Sequence, residues 1–182
     1  HNPVSYLLQA AEKTYVTYEL TIRNPGGHSS RPRADNAIYE LATVLKNIEK
    51  YRFPSRVNDV TRGYFREMSP LVGGELGEAM GAYAKSPGDP DAQDILDTYP
   101  EEVGNTRTTC IATMLRAGHA ENALPQSATA TINCRIFPGV PAAEVEAQLV
   151  RAAANPALEI KSIYPANEGP MSPLREDVTS TV

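Results

Sequence analysis

The residues able to do hydrolytic chemistry are few. Hydrolysis needs a nucleophile beside a base, or a metal held by carboxylate and imidazole ligands. The three histidines, His1, His28 and His119, belong to no H-x-D or H-E-x-x-H arrangement. Gly27-His28-Ser29-Ser30 sets an imidazole beside hydroxyls, yet adjacency in sequence is not triad geometry. Gly73-Gly74 lacks the following Lys of a phosphate-cradling loop. His28 remains conspicuous because it sits in a Gly-flexed loop between a strand end and a helix start, where loops carry function. A solvated or turn-capping histidine is the ordinary alternative. Asn122 taken alone reads as a turn residue. Arg135, on a strand face, reads as either a surface ion-pair partner or a ligand clamp. Cys110 and Cys134 have no metal-type spacing. Each falls in an apparent strand, where a buried free thiol is expected. A disulfide needs adjacent strands to bring them together, so the redox compartment stays open.

The elements that must position these residues follow from periodicity. Residues 14–23 alternate, Val16, Tyr18, Leu20 and Ile22 against Thr17, Glu19, Thr21 and Arg23, the pattern of a half-buried strand. Asn24-Pro25-Gly26-Gly27 breaks it. Over 34–50, Ile38, Leu41, Leu45 and Ile48 form one helical stripe, with Asp35 as the expected cap. Residues 51–104 read as a helical insertion holding short helices around Leu76, Met80 and Tyr83 and around Ile95 and Leu96. Strands are expected over 105–116 and 127–137, joined by a loop over 118–125. Pro141 opens a helix whose stripe is Val145, Leu149 and Ala152. A last strand runs from Leu158 to about Tyr164. The order predicts a ferredoxin-like α+β fold, βαββαβ. Two helices cover one face of a four-stranded antiparallel sheet, the insertion follows the first helix, and Arg135 stands on the open face. Residues 1–165 form the domain and 166–182 a linker.

The bulk numbers exclude some partners. With 182 residues, 41% hydrophobic and 21% charged, the composition is that of a soluble domain. Seventeen Lys and Arg against 22 Asp and Glu give a formal charge of −5, and Asp35 and Glu40 closely follow Arg23, Arg31 and Arg33. Nucleic acid is not an expected partner. Neither is a membrane, because no apolar run approaches the roughly 20 residues a span needs. No basic and apolar leader opens the chain, which leaves the cytoplasm, periplasm and exterior all open.

Taken together, two blocks resemble the lid domain of metallopeptidase family twenty. One is Gly26-Gly27-His28-Ser29-Ser30-Arg31-Pro32 followed by Asn36-Ala37-Ile38. The other is Asn122-Ala123-Leu124-Pro125, then Ala128 and Asn133-Cys134-Arg135-Ile136-Phe137-Pro138-Gly139, with 13 residues from Asn122 to Arg135. That family includes aminoacylases, glutamate-releasing carboxypeptidases, tripeptidases and succinyl-diaminopimelate desuccinylase. The insertion over 51–104 departs from the shortest lids.

The resemblance implies a role for each residue. His28 would reach the partner subunit's active site and hydrogen-bond a developing oxyanion. Asn122 would contact the substrate carbonyl or carboxylate, and Arg135 would hold the carboxylate in its planar fork. It also implies a homodimer through this domain, a peptide or N-acyl amino acid substrate, and two zinc ions in a separate catalytic domain. The chain has no metal ligands of its own by this reading, and alone it is expected to be inactive. The rival expectations are a ferredoxin-like module binding a small anion, and a purely structural dimerisation domain.

Overall fold

The structure, a computed structural model, describes residues 11–169 and Ser172. Its main sheet holds β1 (Thr14–Arg23), β3 (Thr109–Ala117), β5 (Ser127–Ile136) and β6 (Glu159–Ser162), in the order β3-β5-β1-β6 and antiparallel throughout. Helices α1 (Ala37–Lys50) and α6 (Ala142–Ala153) cover one face. The insertion comprises α2 (Asp59–Val72), α3 (Gly74–Lys85), α4 (Pro90–Asp97) and α5 (Pro100–Thr106). Two-residue strands β2 (Gly27–His28) and β4 (Ala123–Leu124) pair separately. The fold is the expected βαββαβ arrangement.

The alternation in β1 and β5 decides the layers. Val16, Tyr18, Leu20 and Ile22 point inward beside Ala128, Ala130, Ile132 and Ile136, and α1 and α6 add Leu41, Val44, Ile48, Val145 and Leu149. Large meets small across the central pair, with Leu20 opposite Ala130 and Ile22 opposite Ala128, which leaves room for the helices above. Truncating Leu20, which is fully buried, to Ala costs about 2–5 kcal/mol on the usual scale for such cavities. The Tyr18 hydroxyl donates to the Ala142 carbonyl at 3.1 Å, anchoring the start of α6. Burial then pushes the Tyr18 pKa up to about 12, with Glu146 and Glu168 adding to the effect.

Several boundaries differ from the sequence expectation. Asn36, not Asp35, caps α1, its Oδ1 accepting from the Ile38 amide at 2.9 Å, while Asp35 is taken by Arg33. The buried stripe of α1 is Ala37, Leu41, Val44 and Ile48, so Ile38 turns outward. Residues 105 and 106 end α5 instead of starting the second strand. Pro100 at the first turn and the acidic pair Glu101 and Glu102 favour the helix there. The insertion has four helices rather than two. Helix α2 opens on an Asn58/Thr61 capping box, which fixes its start.

The insertion has its own core around Phe65, Met80, Tyr83 and Leu96. Buried Arg107 binds it to the sheet domain, donating to the Phe53 carbonyl and pairing with Asp97 at 3.2 Å. Arg52 also pairs with Asp97 and with Asp94.

The cysteines correct the free-thiol expectation. Cys110 and Cys134 lie opposite each other in the β3–β5 register and form a disulfide, with Cα atoms 4.1 Å apart. Of the expected linker, residues 166–169 and Ser172 have no helix or strand, and the rest lies outside the described residues. Among the described residues no helix is long and apolar enough to cross a membrane.

Candidate functional site

The His28 loop is built by a short ladder. The Asn24 amide donates to the Gln126 carbonyl at 3.0 Å, closing the end of the β1–β5 pair. The chain then turns at Gly26, where φ is +75° and a Cβ would lie 2.7 Å from Gln126 Cγ, so glycine is required on both counts. His28 pairs with Ala123, and the Ser29 amide donates to the Asn122 carbonyl at 2.9 Å. His28 and Asn122 are thus brought together, both exposed to solvent. The Asn24 side chain donates to Glu40 at 3.1 Å, which fastens the approach loop to α1.

The imidazole has a defined donor. The Ser30 amide donates to His28 Nδ1 at 3.2 Å, and the Ser30 hydroxyl lies 2.8 Å from the same nitrogen. A nitrogen that accepts from an amide carries no proton, so the neutral ring holds its proton on Nε2. Nε2 makes no hydrogen bond among the described residues, which leaves its N–H available as a donor. Ser30 was visible in the sequence only as a neighbour of His28. A recess of about 520 Å³ beside it is lined by Gly26, Gly27, His28, Ser30, Arg31 and Arg33.

Arg135 occupies the opposite end of the sheet. It is exposed on the open face, and its guanidinium carbon sits 4.7 Å from the centroid of the Tyr15 ring, its partner in the β1–β5 register. Its side chain makes no ion pair or hydrogen bond among the described residues. The adjacent recess, about 570 Å³, is lined by Tyr15, Thr17, Asn133, Arg135, Met114 and Tyr164 among others. Asn133 donates to Thr17 Oγ1 at 3.2 Å, fixing the floor. Such a stacked, unpaired guanidinium is suited to a carboxylate. The sequence did not single out Tyr15, although its place in the polar phase of β1 was the available signal.

The two ends do not meet. Ser127, level with Arg23, lies eight residues along β5 from Arg135, level with Tyr15. At about 3.3 Å per residue that is about 26 Å of strand. Among the described residues no group of three or more His, Cys, Asp and Glu is arranged to hold a metal ion.

A ferredoxin-like sheet with an apolar exposed edge at β3, a loop imidazole at one end and a stacked guanidinium at the other defines a class: a domain that presents its polar groups outward instead of enclosing them. The chain belongs to the peptidase dimerisation domain family of M20 proteins, whose model matches residues 10–161. It is 31% identical over 140 residues to the N-fatty-acyl-amino acid synthase/hydrolase PM20D1 of Xenopus tropicalis, covering 76% of this chain and 27% of that protein. To Probable carboxypeptidase S-like 2 of Dictyostelium discoideum it is 30% identical, covering 70% of this chain and 24% of that protein. The chain therefore spans about a quarter of the length of these curated relatives. Among solved structures, an aminobenzoyl-glutamate utilization protein from Klebsiella pneumoniae shares the fold, with a TM-score of 0.52 at 12% identity over 93% of this chain and 32% of that one.

Proposed function

We propose that this domain is the lid and dimerisation unit of a zinc-dependent metallopeptidase or amidohydrolase that cleaves peptide or N-acyl amino acid amide bonds. The observation that carries the reading is the separation of His28 and Asn122 from Arg135 along one sheet. The ladder end that carries the His28 loop, at Ser127, lies about 26 Å of strand from Arg135, too far for one small substrate to bridge within one subunit. In a two-fold dimer each site takes Arg135 from one lid and His28 with Asn122 from the other. Nε2–H of His28 then donates to the oxyanion, Asn122 to the scissile carbonyl or carboxylate, and Arg135 grips the free carboxylate. The names of the relatives, a fatty-acyl-amino acid hydrolase and a carboxypeptidase-like protein, support a substrate of this class.

The dimer forms through β3. This edge strand exposes Ile111, Met114 and Leu115 at 63%, 60% and 63%, and Arg116 is its single charge. Edges of that kind pair unless something deters them, and a self-complementary two-fold pairing is the commonest result. A groove of about 510 Å³ beside it, lined in part by Leu45, Ile48, Ile111 and Ala112, continues the same apolar surface.

Among the described residues no cluster fits a zinc site, and this reading assigns the two zinc ions to a separate catalytic domain of the full-length parent. Residues 1–165 make the lid, and 166–182 lead toward that domain. Turnover by the full-length parent tests the reading. His28→Ala is expected to lower kcat about 10²–10³-fold, the usual cost of one oxyanion donor. Arg135→Lys is expected to harm free-acid substrates more than their amides. Wild-type turnover in His28→Ala would refute the assignment.

A further inference from the structure

Helix α5 of the insertion lies against Lys13, the residue just before β1. Glu102 of α5 is buried, and its carboxylate accepts from the Tyr64 hydroxyl at 2.9 Å and from Asn105 Nδ2 at 3.1 Å. Two residues on, Gly104 leaves room for the Lys13 ammonium, with which a Cβ at that position would collide. Lys13 is half-buried and forms no ion pair among the described residues. Burial and the nearby Arg135 charge push its pKa down, while Glu102 opposes the shift.

Lys13 and Arg135 serve adjoining recesses. The first, about 290 Å³, includes Lys13, Asn167 and, exposed at its rim, Glu12. The second is the Arg135 recess already described. Tyr15, Thr17 and Tyr164 line both, so the two recesses share a wall that includes the ring under Arg135. Two cations near enough to perturb each other repel, and a partly desolvated ammonium with no carboxylate in salt-bridge contact is costly, which the nearby Glu102 charge offsets only in part. A ligand bearing two anionic groups relieves both penalties.

We propose that Lys13 and Arg135 form a two-part anion seat, its recesses sharing a wall at Tyr15, that takes a substrate with two carboxylates, and that Glu102 and Gly104 of the insertion position Lys13 in it. This rests on the lid reading: Arg135 holds the main-chain carboxylate and Lys13 the side-chain carboxylate of an acidic residue. The insertion thereby acts as a specificity element.

N-acyl-glutamate and N-acyl-glutamine have nearly the same shape and differ by one charge. With the full-length parent, Lys13→Met is expected to raise KM for the glutamate compound about tenfold and to leave the glutamine compound within about twofold. Gly104→Ala, which displaces the ammonium without altering the sheet and favours the helix, is expected to act in the same direction. Equal loss on both compounds, or no change on either, would overturn the seat. If the parent turns over neither compound, the hydrolase reading fails, and calorimetric titration of both compounds then decides the seat alone. Charge-dependent binding that Lys13→Met abolishes supports it, and binding blind to the charge or to the substitution rejects it.

Discussion

His28 and Arg135 stand at opposite ends of the β1–β5 ladder, the first just past the Asn24–Gln126 closure and the second level with Tyr15. The distance is set by backbone hydrogen bonds, not by flexible side chains. Under the proposed function, a small substrate that meets both groups does so between two copies of the domain. This relationship ties dimerisation to catalysis in the proposed function.

The edge strand makes that dependence testable. Placing like charges on both copies of β3, as in Ile111→Lys with Leu115→Lys, should oppose pairing across the two-fold. Sedimentation of the parent is expected to show a shift from dimer to monomer, with the dissociation constant raised at least about tenfold. An unchanged dimer would place the interface elsewhere.

The Cys110–Cys134 disulfide ties this edge to β5 across a sequence separation of 24. Closing a loop of that size stabilises a domain by about 3 kcal/mol in the chain-entropy view. Substituting both cysteines by Ala should lower the thermal midpoint of the isolated domain by several degrees, and reductant should do the same to the wild type alone. A midpoint indifferent to both changes would mean the bridge contributes nothing to stability.

Alkaline stability follows from Tyr18. Its pKa is raised from the ordinary value of 10.0 to about 12 in the folded state, chiefly by burial. Its contribution is complete below pH 10.0, where the hydroxyl is neutral folded and unfolded alike. It is lost as pH rises toward about 12, because the unfolded chain ionises first. Thermal midpoints of the wild type should fall across that window. Tyr18→Phe should start lower, lacking the bond to Ala142, and fall less steeply. Parallel curves would assign the alkaline loss to other groups.

Much of the architecture was legible because long strands carry their period openly. β1 and β5 alternate over 10 residues each, and that alternation alone put Arg135 on the open face. The β2–β4 ladder was not legible, since two-residue strands have no period and depend on a tertiary closure. The disulfide and the Tyr15–Arg135 stack share a different obstacle. Both depend on strand register, and a shift of one residue would separate either pair. In α2, Val60, Tyr64, Met68 and Leu71 do recur at helical steps, but Gly63 and the internal Pro70 argue against a helix there, and the cap is the clearer mark of its start. The candidate residues were readable as individuals, but their separation required the fold.

The most direct test of the central claim mixes two inactive forms of the parent, His28→Ala and Arg135→Ala. If the groups act across the dimer, each mixed dimer has one subunit with intact Arg135 facing an intact His28. Equal mixing with free subunit exchange should then restore about a quarter of wild-type activity, half the dimers being mixed with one whole site each. Activity no greater than the average of the two parents, once exchange is demonstrated, would contradict the account.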